Sequence, residues 1–360
     1  MIRAREHIAA MAPYALADLQ PPPGKRLISL AQNESALPPS PAALEAGAAE
    51  LAHSALYPDP DWSELRDAIS RVHGLEPAHI LCGAGSMELI LCLTQCYAGH
   101  GDEVLSSQYA YAFFRIAAAI SQADYVTVPE EEFMVSVDRL LDAVTSRTRI
   151  VFVANPGNPT GTRIGNQELA RLRDGLREDA LLVIDEAYGE FADGEDGQTF
   201  GLVKQGNTIV LRTFSKAYAL AGMRVGWGLF PPGIATEVRK LLNPNNVSAV
   251  SQATCAAAVV DQAHVRKACR ITAERRDRFA GNIRQLGLSV PESMTNFVLI
   301  NFASPAAAMA ADEALKAEGI FMRGMGGYGL PASLRATIGA EDDMQLALEV
   351  IAEICLKEGS

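Results

Sequence analysis

Between residues 80 and 230 short apolar runs alternate with amphipathic stretches, and this alternation narrows the possible folds more than anything else in the chain. The runs occupy residues 80–82, 103–106, 125–128, 150–154, 181–184, 208–212 and 224–230. Apolar residues at helical spacing fill much of the sequence between them, at 87–97, 112–121, 137–144 and 167–177. Strands without a polar face must be buried on both sides, and the intervening helices supply that cover. The expectation is an α/β fold: a mostly parallel sheet with helices on both faces.

The flanks have a different texture. Upstream, a short helical stretch leads to Pro21-Pro-Pro-Gly24, a rigid break, and to a short strand from Leu27 that ends in polar residues at Asn33 and Glu34. Pro41 suits the first turn of a helix that runs to about residue 52. A further helix over 62–73 carries Leu65, Ile69 and Val72 on one face. Downstream of about residue 270 a long charged helix (268–286) precedes a strand at 296–302, a helix, an apolar strand ending near Arg323, a glycine-rich turn at 324–329, a strand at 333–338 and a last helix. That reads as a small α+β domain. We therefore divide the chain into an N-terminal arm (1–42), which contributes to the small domain and to a dimer contact, a large domain (43–269) and a small domain (270–360).

Composition excludes several function classes. A net charge of -12 argues against nucleic acid and anionic membranes as partners. No apolar run reaches the length of a membrane span, and the N-terminus lacks an apolar block of signal-peptide length, so a cytoplasmic protein is expected. Cys82, Cys92, Cys96, Cys255, Cys269 and Cys355 form no CxxC pair, and the histidines form no HxxxH pair. Cys92 and Cys96, one helical turn apart among apolar residues, read as core thiols, and no metal site is expected.

Four segments at strand ends carry the chemistry. Gly83-Ala-Gly-Ser86 joins a strand to a helix, which makes it either a phosphate cradle or an ordinary tight turn. Asn155-Pro-Gly-Asn-Pro-Thr-Gly161 fixes the backbone so that Asn155 and Asn158 stand at the C-terminal edge of the sheet, where α/β proteins bind ligands. Asp185-Glu-Ala-Tyr188 ends another strand; Asp185 is either a helix cap or a carboxylate for a ring-nitrogen cation, with Tyr188 as donor to a phenolate oxygen. Lys216, between Thr213, Ser215 and Arg224, is placed to lose its proton and act as a nucleophile, while the hydroxyls and the arginine offer donors to a phosphate ester. An amine beside a phosphate site is what pyridoxal phosphate requires.

Together these segments make the sequence resemble the fold-type I, aspartate-aminotransferase-like pyridoxal-phosphate enzymes, most closely the histidinol-phosphate aminotransferase branch, from Asn33-Glu34 to Arg335. The resemblance implies a Schiff-base lysine at Lys216 that also moves the proton, pairing of Asp185 with the pyridine nitrogen, and hydrogen bonds from Tyr188 and Asn158 to the ring hydroxyl. It implies that the turn at Gly85, Ser86 and the Met87 backbone holds the phosphate together with Thr213, Ser215 and Arg224. Tyr111 would stack on the ring, unless it is simply a core aromatic. Tyr57 would reach the phosphate of a neighbouring subunit, which implies a homodimer. Arg335 would clamp a substrate carboxylate, and Asn33 would line the substrate side. Two departures stand out: Asn33-Glu34 is followed by Ser35-Ala-Leu-Pro38 in place of the branch's usual Asn-Pro-aromatic or Pro-Leu-Gly run, and Met87 occupies a position that is commonly acidic.

The implied activity is transamination, from an amino acid or amino-phosphate donor to a 2-oxo acid acceptor, with histidinol phosphate or an aromatic amino acid as donor and 2-oxoglutarate as acceptor. Arg323, at the end of its strand, faces either the same cleft as Arg335 or a nearby acid such as Glu318 or Asp312. Two alternatives stand beside it: a decarboxylase of the threonine-phosphate type, against which the Gly327–Pro331 approach to Arg335 speaks, and a non-enzymatic cofactor-binding regulator, for whose DNA-binding module this acidic chain has no room.

Overall fold

The structure, a computed structural model, describes residues 2–12, 19–192 and 199–358. The arm contributes one short strand, β1 (Ile28–Leu30). The apolar runs then form β2 (Ile80–Gly83), β3 (Glu103–Ser107), β4 (Asp124–Val128), β5 (Thr148–Ala154), β6 (Leu181–Asp185), β7 (Thr208–Thr213) and β8 (Gly226–Leu229). These seven pair in the order β2-β8-β7-β6-β5-β3-β4, and only β8 runs against its neighbours. β5, β6 and β7 are buried at almost every position, as strands covered on both faces must be. The chain steps outward from β3 to β4, then returns to the other side of β3 with β5, β6 and β7. That reversal opens a crevice at the C-terminal edge, where open α/β sheets bind ligands.

A second sheet is built from β1, β9 (Phe297–Asn301), β10 (Ile320–Gly324) and β11 (Ser333–Thr337), in the order β1-β10-β11-β9. The arm strand thus pairs in parallel with a strand nearly three hundred residues downstream, Ile28 opposite Ile320. Each sheet has its own core. Trp62, Phe114, Phe152, Phe214 and Trp227 lie in the larger one, and Leu30, Ile300, Leu315, Ile320 and Ile351 in the smaller. The helix Gln262–Gln285 crosses the expected boundary between 269 and 270, giving Val265 to the larger core and Phe279 and Ile283 to the smaller.

Several bounds differ from those expected. The long helix begins at Gln262, six positions before Ala268, because the Asp261 side chain caps it, accepting the His264 N–H at 3.1 Å. The last large-sheet strand starts at Gly226, since Arg224 adopts a left-handed conformation (φ 53°) that ends strand geometry there. Helices Pro232–Arg239 and Ala249–Val260 were not anticipated. The second is apolar or small on every side and packs against Pro41–Glu50 and Ser63–His73, so no amphipathic period marks it. Among the described residues no helix is long and apolar enough to cross a membrane.

Candidate active site

A cavity of about 450 Å³ opens at the C-terminal edge of the large sheet, between it and the small sheet. The strand ends fill its floor. Asp185 is the last residue of β6, Thr213 the last of β7, and Ala154 the last of β5; all three line the cavity.

One wall is made of hydrogen-bond donors. Beyond β7 the chain folds back so that the Thr213 hydroxyl lies 3.0 Å from that of Ser215 and accepts the Ser215 N–H at 3.1 Å. Arg224 donates to the Ala221 carbonyl at 3.1 Å, and its Nη1 lies 3.4 Å from the Ser215 hydroxyl. Opposite stands the first turn of the helix Ser86–Tyr97, whose cap residue, Gly85, has no side chain to occupy the free N–H groups. Only glycine fits at Gly85: its φ is +78°, and a Cβ there would lie 2.6 Å from Arg224 Nη2. The turn is held from behind by Glu88, which accepts the Ala84 N–H and the Asn246 side-chain amide, each at 2.6 Å. Backbone N–H groups, two hydroxyls and a guanidinium converging on one spot suit a phosphate dianion.

The floor pairs an acid with an amine. The Asp185 carboxyl is 3 % exposed and accepts the Ala187 N–H at 3.0 Å. Burial pushes its pKa up to about 7, and the neighbouring charge of Glu186 adds to the rise. Such a carboxyl is stabilised as an anion by a cationic partner. Lys216 is half-buried, and its Nζ donates to the carbonyls of Asn33 and Gln32 at 2.9 and 3.2 Å. Desolvation lowers its pKa to about 7, the charge on Arg335 pushes the same way, Glu34 opposes, and Arg224 adds a smaller push. A substantial fraction of Lys216 is therefore neutral near pH 7 and able to accept a proton or attack a carbonyl carbon.

The remaining expected residues gather around this floor. The Tyr188 hydroxyl accepts the Asn33 side-chain amide at 2.7 Å, its ring stands edge-on to Phe297, and burial raises its phenol to about 12. Asn33, at φ 55°, also donates its backbone N–H to Thr337, so its amide belongs to the frame between the two sheets. Arg335 donates to Asn158 Oδ1 at 2.6 Å and to the Ala31 carbonyl at 2.8 Å, with its guanidinium over the Phe297 ring. Arg323 is directly opposite Arg335 in the β10–β11 pairing, and both line the cavity. The acids considered for Arg323 are engaged by lysines: Glu318 with Lys25 at 2.6 Å and Asp312 with Lys316 at 2.5 Å. Tyr111 heads the helix Ala112–Ile120 and lines the cavity with its ring edge-on to Phe114. Gly85, Ser86 and Met87 line it too.

Two expectations are placed differently. Tyr57 does not line the cavity of this chain and is 89 % exposed. Asn155 turns away from the cavity and clasps Ile164, donating to its carbonyl at 3.0 Å and accepting its N–H at 2.9 Å. Only Asn158 of the two asparagines is presented. Sequence reasoning missed Glu34 and Tyr328 as lining residues. Tyr328 sits in the glycine-rich turn, and its hydroxyl accepts the Ala112 N–H at 3.5 Å, bridging the small sheet to the large one. A tyrosine in that turn was the available signal. Among the described residues no cluster of histidine, cysteine or carboxylate side chains has the makings of a metal site.

A buried carboxyl, a lysine of lowered pKa on the same cavity floor and a donor-lined wall suit the ring nitrogen, the aldehyde and the phosphate of pyridoxal phosphate. A model of the family "Aminotransferase class I and II" matches residues 25–351. Over 88 % of its length the chain is 46 % identical to a histidinol-phosphate aminotransferase of Jannaschia sp. (strain CCS1), covering 88 % of that protein. It is 41 % identical to the histidinol-phosphate aminotransferase of Hyphomonas neptunium over 96 % of this chain and 95 % of that one. Among solved structures, the histidinol-phosphate aminotransferase of Sinorhizobium meliloti in complex with pyridoxal-5'-phosphate aligns with a TM-score of 0.90 at 29 % identity, covering 99 % of this chain and 98 % of the other. A Thermus thermophilus aspartate aminotransferase double mutant shares the fold at TM-score 0.86 and 23 % identity, over 98 % of this chain and 100 % of that one.

Proposed function

The chain belongs to the class I and II aminotransferases, and on that premise we propose that its amino donor is histidinol phosphate and its acceptor 2-oxoglutarate. It is a pyridoxal-phosphate-dependent transaminase of fold type I. The observation that carries the donor assignment is the pair Arg323 and Arg335, side by side on adjacent strands and both facing the cavity that holds Lys216. Histidinol phosphate has an amine and a phosphate but no carboxylate, and 2-oxoglutarate has two carboxylates. Two guanidinium groups serve both in turn, one ligand after the other. The names borne by relatives at 41–46 % identity point the same way.

When bound, the cofactor supplies an electron sink for the charge that develops at the donor's Cα. The protein's own residues do the rest. Thr213, Ser215, Arg224 and the helix N-terminus at Ser86 and Met87 would hold its phosphate. Asp185 would keep the ring nitrogen protonated, and Tyr188 and Asn158 would hydrogen-bond the ring hydroxyl. Tyr111 covers the ring face. Lys216 would anchor the cofactor and, with a pKa lowered to about 7, would serve as the general base that takes the Cα proton. Arg335 fixes a substrate anion so that the Cα–H bond faces Lys216. The exposed Tyr57 completes the phosphate site of a second copy of the chain, which makes the working form a homodimer. The two cores correspond to the large and small domains, with the arm joined to the small one through β1.

The test compares donors in Arg323→Leu. Loss of a charge-assisted hydrogen bond removes roughly 1.5–3 kcal/mol. The expected result is a drop of at least about tenfold in kcat/KM for histidinol phosphate with little change for phenylalanine. An equal loss with both donors, or none with either, overturns the phosphate-reading role and with it the argument for this donor.

A further inference from the structure

Behind the cavity floor lies a second polar cluster that the reaction as described does not use. Glu186 follows Asp185, and Arg212 precedes Thr213, so side-chain alternation sends this second pair to the face of the sheet away from the cavity. There the Arg212 guanidinium grips Glu186 Oε2 with Nε at 3.0 Å and Nη2 at 2.7 Å. Thr199 donates its hydroxyl to the other Glu186 oxygen, and Glu190 lies 3.5 Å from Arg212 Nη1. Arg212 is 1 % exposed, stands over the Phe200 ring and leaves no room for a side chain at residue 189, where a Cβ would lie 2.8 Å from its central carbon. The Glu186 N–H meets the Leu211 carbonyl at 2.8 Å, so the same two strand ends are tied by backbone and by side chains.

We propose that Arg212, gripping Glu186, is a positioning residue for the cofactor: it cancels the Glu186 charge and locks the end of β6 to the end of β7, so that Asp185 stays ionised and aimed at the ring nitrogen. The inference rests on the assignment of Asp185 to that nitrogen. Two carboxylates adjacent in sequence, both buried, repel; a cation on the far side offsets that repulsion. Glu186, the residue just beyond the end of β6, is the charge that bears on Asp185, Arg212 meets it from β7, and Glu190 and Thr199 complete the cluster from the segment that follows. Removing one partner of a buried ion pair strands the other, whereas replacing both is far milder.

The experiment follows the holoenzyme loaded with pyridoxal phosphate carrying an isotope-labelled ring nitrogen, by NMR at neutral pH, together with cofactor affinity. In the wild type the nitrogen signal is cationic, and Asp185→Asn moves it to the neutral position. Arg212→Met is expected to move it toward neutral and to weaken cofactor binding at least about tenfold. Adding Glu186→Gln to Arg212→Met removes the stranded charge next to Asp185, while Glu190 still lacks its partner, and is expected to return the nitrogen signal toward wild type and to recover part of the affinity, the signature of coupling through Glu186. A role in packing alone predicts a cationic signal in Arg212→Met and a double variant no better than the single, and either result overturns the inference. Should Arg212→Met not fold, Arg212→Lys keeps the charge but loses the two-point grip. Weaker cofactor binding with the signal still cationic is then expected, and wild-type affinity overturns the inference. If Asp185→Asn leaves the signal unchanged, the cofactor assignment itself fails, separately from the role of Arg212.

Discussion

Arg335 lies within a strand that is buried throughout, yet both of its terminal nitrogens reach polar partners at the cavity wall. Arg335→Ala should therefore weaken use of 2-oxo acids by at least about tenfold, through loss of a charged hydrogen bond of roughly 1.5–3 kcal/mol. Half-reaction rates with 2-oxoglutarate measure this; unaltered rates with donor and acceptor alike would remove Arg335 from the site. Asp185 makes a different kind of prediction. Its folded pKa, about 7, lies above the ordinary carboxylate value, so between about pH 4 and 7 the cofactor-free folded state holds a proton that the unfolded chain has lost. Stability from this group is fully present at the acid end and is lost as pH rises through that window. Cofactor-free Asp185→Asn should gain on the wild type as pH rises from about 4 to about 7 and level off above it. Denaturation midpoints across that range check the sign, and a flat difference would mean that the carboxyl is not held in its neutral form. Asp185 was legible because it ends an apolar run, and Arg335 because an arginine stands inside one. Asn155 was misread because two asparagines three apart both looked presentable, and only the backbone path shows that one clasps Ile164. Glu186 and Arg212 gave no signal, since a charge beside a catalytic-looking residue reads as solvated until burial is known.

Secondary structure was most legible where one period dominated. The strands at 150–154, 181–184 and 208–212 were expected within a residue or two of their observed bounds, because fully buried strands are uninterrupted apolar runs. The helix Ala249–Val260 was invisible for the opposite reason: buried on nearly all sides and rich in alanine, it has no polar face to set a period. Close approach of β8 to the helix Ser86–Tyr97 was equally hidden, because glycine in a strand leaves no pattern of its own. Yet that contact is tight. A Cβ at Gly226 would lie 2.2 Å from the Ser86 nitrogen, against backbone that cannot swing aside. Gly226→Ala should push the helix N-terminus off the phosphate site. We expect cofactor binding weaker by about tenfold or more and a stability loss of about 1–3 kcal/mol, the usual range for overpacking. Equilibrium dialysis of the cofactor and urea unfolding measure the two; retention of both wild-type values would show that the cradle does not depend on this contact.

The pairing of β1 with β10, and the arrival of Arg323 and Arg335 at a cavity floored by β6 and β7, depend on contacts across most of the chain. No local pattern encodes them; the expectation of one shared cleft came from the placement of four segments at strand ends and from the glycine-rich turn that returns the chain from Arg323 to Arg335. That cleft holds Lys216 and Asp185 at its floor, the proposed phosphate cradle at one end and two arginines at the other. A single half-reaction tests it. The purified holoenzyme, without acceptor, is mixed with histidinol phosphate while the visible absorption of its cofactor is followed. Loss of the band in proportion to donor added, its return on addition of 2-oxoglutarate, and the absence of both changes in Lys216→Ala are the predicted results. A band that does not respond to histidinol phosphate but bleaches with phenylalanine would contradict the assignment of the donor, and one that responds to no amino donor would contradict the account as a whole.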